Sequence, residues 1–122
     1  NQCQPYPYVI DCDKKLMERI AQEDMVRGVT IAAGGFYGPQ GRVLRAPLAD
    51  PQQNEKIESF RHGNLCITNF EMESSALAGL AKLLGHKATT VCMVIANRYA
   101  KEMNTSYKNT IETLIQKVLD RI

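Results

Sequence analysis

The sequence lacks the marks of several large classes of protein. Its four cysteines, Cys3, Cys12, Cys66 and Cys92, form no C-x-x-C pair and no Cys/His spacing of a zinc site. Cys66 and Cys92 stand inside apolar segments and read as small core hydrophobes, which favours a reduced, cytoplasmic setting over a disulfide scaffold. No signal or transit peptide pattern and no apolar stretch long enough to span a bilayer is present. Runs of basic residues are missing too. Fifteen Lys and Arg against thirteen Asp and Glu leave a net charge of +2, dispersed along the chain, so neither a nucleic acid nor an anionic membrane is expected as a partner. The G-x-x-x-x-G-K-[ST] and G-x-G-x-x-G phosphate cradles are absent. No initiator methionine precedes Asn1-Gln2-Cys3-Gln4-Pro5, a beginning that reads as a start in mid-protein.

What is present is ordinary globular composition, 44% hydrophobic and 23% charged over 122 residues, enough for one domain or a piece of one. Asp13 before Leu16, Met17 and Ile20 predicts a short capped helix to about Gln22, and Val26 to Ala33 reads as a strand. Gly34 to Gly41 must be loop. Asp50-Pro51 predicts the start of a polar, superficial helix that Gly63 ends. Asn64 to Thr68 is a short strand, Met72 to Leu84 a helix stopped by Gly85, and Ala88 to Ala96 a continuous β-favouring run expected to be a buried strand. Tyr107, Ile111, Leu114, Ile115, Val118, Leu119 and Ile122 form the apolar stripe of a last helix, expected to lie against the sheet. The order predicts an α/β layer structure around a largely parallel or mixed sheet flanked by helices.

Three constellations could carry chemistry. Phe36-Tyr37-Gly38-Pro39-Gln40-Gly41-Arg42 brings an aromatic ring, an amide and a guanidinium onto one glycine-rich loop after a strand, either a site for a planar heterocycle or a solvated surface loop. Asn69-Phe70-Glu71-Met72-Glu73-Ser74 lies where a strand passes into a helix. Its carboxylates either complement the helix dipole or hold the paired hydroxyls of a sugar. Ile95-Ala96-Asn97-Arg98 is expected to end the buried strand at the same sheet edge, with Arg98 contacting a ligand or bracing the loop. His62 and His86 sit in turn-like positions where exposure is the default.

Together these segments, with Gly28-Val29-Thr30, resemble the uridine phosphorylases of the nucleoside phosphorylase superfamily, specifically their C-terminal part. An F-Y-x-x-Q-x-R loop followed by N-[FY]-E-M-E-S is a specific pairing. The resemblance implies that Gln40 and Arg42 bind the uracil edge and serve catalysis, that Phe36 packs near the base, that Glu73 accepts from ribose hydroxyls, that Met72 packs on the sugar, and that Glu71 supports them. It implies reversible phosphorolysis of uridine to uracil and ribose 1-phosphate, with phosphate as co-substrate, no other cofactor and no metal. Purine-type relatives carry an Asp where this chain has Ala96-Asn97-Arg98, a departure that favours a pyrimidine.

The family's phosphate-binding turn and arginines lie in an N-terminal portion that has no counterpart here. The expectation is therefore the C-terminal portion of one domain, inactive alone, in a homo-oligomer, with a separate chain as one source of the N-terminal portion. The alternatives are a phosphorylase or hydrolase of another nucleoside, or a non-catalytic fragment or interaction subunit of the same fold.

Overall fold

The computed structural model describes residues 7–97 and 100–122. Helix α1 spans Lys14–Ile20, and Asp13 caps it by accepting from the Leu16 N–H at 2.9 Å, as its sequence predicts. Strand β1, Val29–Ala32, leads into a loop with one 3-10 turn at Gly38–Gln40. Helix α2 covers Gln53–Ser59. Asp50 precedes it and accepts from the Gln52 N–H, and the helix ends before Phe60, short of Gly63. Gly63 turns a hairpin instead. It lies at φ 58° in the two-residue connection between β2 (Arg61–His62) and β3 (Leu65–Glu71), a place where a positive φ is required.

β1 and β3 pair in parallel and β2 pairs antiparallel with β3, giving the order β1-β3-β2. The fold is thus α/β with a mixed sheet and flanking helices. Helix α3, Ser74–Leu83, packs on β1 and stops at Gly85, whose φ of 74° suits only glycine well. Its small residues Ser74, Ser75 and Ala78 turn inward, and Leu77, Leu80, Leu83 and Leu84 turn to solvent.

The expected buried strand from Ala88 to Ala96 does not form. Residues 88–95 have no strand ladder; Ala96–Asn97 (β4) instead pairs antiparallel with Glu102–Met103 (β5) as a separate hairpin. A β-favouring run becomes a strand where a pleated surface is covered, and here Val94 and Ile95 stay 54% and 43% exposed. Cys92 is exposed as well, not a core residue, and Cys66 is only half-buried.

Helix α4, Tyr107–Arg121, forms as its apolar stripe predicts, but among the described elements it packs chiefly on α1 and not on the strands. Leu114, Ile115, Val118 and Leu119 face Ile20, Thr89 and Val91 across a cleft of about 260 Å³. Ile20, Ala33 and Ala78 are the buried apolar residues among those described. The accessible surface of 10045 Å² is roughly half as much again as the ~6,600 Å² expected for a folded monomer of this mass.

Polar contacts help seat α4. Arg121 donates to both Asp24 oxygens and to the Ile20 carbonyl, and Lys117 donates to Asp24 at 2.8 Å. Hydrogen bonds from Arg121 and then Lys117 outweigh desolvation and hold the Asp24 carboxyl well below the usual carboxylate range. Because the folded carboxyl titrates below its unfolded value of about 3.9, this contribution is complete above that pH and fades as pH falls toward the lower folded value. We expect amide exchange in α4, taken relative to the intrinsic rate at each pH, to be as slow at pH 5 as at pH 7 and faster below about pH 3.9. Asp24→Asn should speed it already at pH 7, whereas unchanged exchange in that variant would mean that apolar contacts alone seat the helix.

Candidate active site

Parallel strands end at the same edge of a sheet, so the segments that follow β1 and β3 emerge side by side. Ala32 stands opposite Glu71, and the Ala33 N–H donates to the Glu71 carbonyl at 2.8 Å, which carries the pairing to the point where both strands leave the sheet. The first two constellations therefore meet at one edge.

After β1 the loop folds back on itself. The N–H groups of Gln40 and Arg42 both donate to the Tyr37 carbonyl, at 3.1 and 3.0 Å, and Gly41 donates to Gly38 at 2.8 Å. Gly41 adopts φ 73°, and a Cβ there would collide with Asn54. Helix α2 holds the loop from outside, since Asn54 Nδ2 donates to the Gly41 carbonyl and Gln53 Nε2 to that of Pro39. These two amides were not singled out in the sequence, where α2 reads as merely polar; their adjacency on a helix beside a glycine turn is the signal that could have found them.

The side chains of the loop are arranged unequally. Gln40 is 4% exposed, and no buried side-chain polar atom among the described residues lacks a partner, so its amide is already engaged. Phe36 and Tyr37 are exposed and meet edge to face at 5.3 Å. The Arg42 guanidinium lies 3.6 Å from the centre of the Phe36 ring, covering one face that a planar ligand could otherwise take. Stacking uses the guanidinium's face and leaves its in-plane N–H donors available, and no carboxylate pairs with Arg42 among the described residues.

After β3, the carboxylates divide. Glu71 accepts from the N–H of Glu73 at 2.8 Å and from the N–H and hydroxyl of Ser74, each at 2.6 Å. Burial pushes its carboxyl up, but the Ser74 hydroxyl and the N–H groups of residues 73, 74 and 72 together hold it below the ordinary value. Glu71 thus ties down the start of α3. Glu73, at the cap position, is exposed with no side-chain partner among the described residues, and Met72 beside it is exposed.

The third constellation does not end a strand of this sheet. Asn97 belongs to the β4–β5 hairpin and its side-chain oxygen accepts from the Ala100 N–H; Arg98 lies outside the described residues. The histidines remain exposed. A depression of about 380 Å³ lined by Asp11, Asp13, Lys82 and His86 sits at the opposite end of α3 from Glu73, so it is not part of this constellation.

A profile of the phosphorylase superfamily matches residues 2–122. The chain belongs to that superfamily. This phosphorylase-superfamily chain is 39% identical over 90 residues to uridine phosphorylase A of Schistosoma mansoni, an alignment covering 70% of this chain and 29% of that protein. It is 35% identical over 99 residues to inactive uridine phosphorylase B of the same organism, covering 76% and 32%. The chain therefore spans about a third of the length of these curated relatives. Its fold superposes with a TM-score of 0.79 and 26% identity on a nucleoside phosphorylase of Trypanosoma brucei described as showing uridine phosphorylase activity, covering 92% of this chain and 42% of that one.

The division of labour between the carboxylates is measurable. Glu71→Ala should lower the unfolding free energy by about 1 kcal/mol, the usual cost of a lost helix cap, while Glu73→Ala should change it by less than about 0.5 kcal/mol. Denaturant titration of both variants checks this, and equal losses would show that Glu73 also serves the helix.

Proposed function

We propose that this chain supplies the base- and ribose-binding part of a nucleoside phosphorylase that cleaves uridine reversibly with phosphate. The observation that carries this reading is the meeting of an exposed aromatic–arginine loop and an exposed carboxylate at the ends of adjacent parallel strands. On this reading uracil lies against the Arg42–Phe36 pair with Arg42 at its carbonyl and ring-nitrogen edge, and the buried Gln40 amide exchanges its present partner for that edge when the base binds. Glu73 accepts hydrogen bonds from two ribose hydroxyls, a task that suits the paired oxygens of a carboxylate, and Met72 packs on the sugar. Glu71 serves indirectly by fixing the helix start, and Arg98 remains a candidate contact.

Phosphate attacks the anomeric carbon as the C–N bond breaks, and the bonding pair passes to the departing uracil. A guanidinium held in advance at the uracil edge stabilises that anion more than it stabilises the neutral base, and only this difference speeds the step. Purine-type relatives carry an Asp where this chain has Ala96-Asn97-Arg98, a departure that favours a pyrimidine. Phosphate is a co-substrate and no organic cofactor or metal enters. Its binding groups would come from the rest of the superfamily domain, on a longer polypeptide or a separate chain, in a homo-oligomer. The chain alone should then release no uracil.

A second reading, a non-catalytic member of the same fold, draws support from the likeness to a Schistosoma protein named as inactive. Kinetics on the longest product of the gene separate the two. Arg42→Ala should lower kcat/KM for uridine roughly a hundredfold or more, by analogy with the loss of one preorganised oxyanion donor. Gln40→Ala should blunt discrimination among uridine, thymidine and inosine, and Glu73→Ala should weaken the dependence on ribose hydroxyls. Near-full turnover by Arg42→Ala at unchanged thermal stability would end its proposed role, and absence of turnover in the unmodified protein would favour the non-catalytic reading.

A further inference from the structure

The segments that carry the first two constellations are joined through one side chain, Asn69. It lies in β3 opposite Thr30 of β1. Thr30 Oγ1 donates to Asn69 Oδ1 at 2.9 Å, and Thr68 Oγ1 donates to the same oxygen at 3.1 Å. One planar amide therefore connects the strand that enters the Phe36–Arg42 loop with the strand that enters Glu71–Glu73.

The ladder changes register at this place. Val29 stands opposite Ile67, yet Thr30 stands opposite Asn69, so Thr68 is an extra residue in β3. An extra residue reverses the face that the following side chains take, and the facing of Asn69, Phe70 and Glu71 against β1 is decided here. Thr68 also reaches the Val29 carbonyl at 3.4 Å. Gly28 makes room: a Cβ on it would collide with the Thr68 side chain and lie 3.0 Å from the Cys66 carbonyl oxygen. Asn is depleted in strands, and an apolar β-branched residue would serve a half-buried middle strand at least as well. The connection that Asn69 makes is what such a residue could not supply.

We infer that Asn69 is a positioning residue, setting the separation and facing of the base loop against the ribose carboxylate. The inference rests on the base-and-ribose reading given above. A whole nucleoside spans both segments and senses their relative placement. Free uracil needs only the loop, and ribose 1-phosphate does not engage it.

Calorimetric titration of the longest gene product with uridine, uracil and ribose 1-phosphate tests this. Asn69→Ala should weaken uridine roughly tenfold or more while changing the other two by less than about twofold, because misplacement harms only a ligand held at both ends. Thr30→Val, which keeps the shape and removes one hydroxyl, should act in the same direction to a smaller extent, and it carries the test if Asn69→Ala does not fold. Uridine binding unchanged in both variants, or all three ligands weakened alike, would overturn the inference. If the unmodified protein bound neither uracil nor uridine, the base-and-ribose reading itself would fail and the inference with it.

Discussion

The parallel pairing of β1 with β3 is the constraint on which the rest depends. Parallel strands deliver their exits to one edge, whereas an antiparallel pair would have sent the Phe36–Arg42 loop and the Glu71–Glu73 segment to opposite ends. The ladder is short, and the structure reinforces it from several sides. Ala33 continues it to Glu71, Thr30 and Asn69 cross it with side chains, and α3 packs back on β1 through small residues that permit close approach. The same Glu71 whose backbone extends the ladder uses its carboxylate to anchor α3. Strand, loop and helix start are thereby referenced to one place.

How much of this was legible in the sequence follows from how local each signal is. The Asp13 cap, the Gly85 stop and the helix of α4 depend on a few neighbouring residues and appear as read, whereas the face that the α4 stripe meets, α1 and residues 89–91 and not the sheet, depends on distant ones. Gly63 was legible as a residue needing a positive φ but not as to its use, since helix ends and hairpin turns both employ one. The run from Ala88 to Ala96 failed for a different reason. Its β-preference describes a fit to a covered pleated surface, and the described residues give it α4 at Thr89 and Val91 but little at Val94 and Ile95. In the site, residue types and order were legible as motifs. The stacking of Arg42 on Phe36, the burial of Gln40 and the register change at Thr68 were not, because each depends on contacts between segments distant in sequence.

The surface has its own argument. Leu77, Leu80, Leu83 and Leu84 project away from the sheet that α3 covers, the reverse of an ordinary amphipathic helix on a layer structure. A standard protein–protein interface takes about 800 Å² from each partner, and the excess of accessible surface here is several times that. Such an excess has the size of a divided core, not of one docking patch. It agrees with a chain that spans about a third of its curated relatives and superposes on 42% of a longer nucleoside phosphorylase.

The electrostatics of the site have the same unfinished character. A guanidinium and a carboxylate on neighbouring segments would ordinarily find each other, and each would then be neutralised as a ligand contact. Here Glu71 is occupied by the helix start, Arg42 is held against an aromatic face, and Glu73 projects to solvent. A cation stacked on a ring is steadied by the ring's negative face without giving up its in-plane donors, so its position is fixed while its charge stays available. Holding a donor in place before charge develops is what makes it effective against a leaving anion, because little reorganisation remains to be done at the transition state. A salt bridge between Arg42 and Glu73 would have been a simpler way to steady both, and its absence among the described residues is consistent with two groups kept apart for the two ends of one ligand.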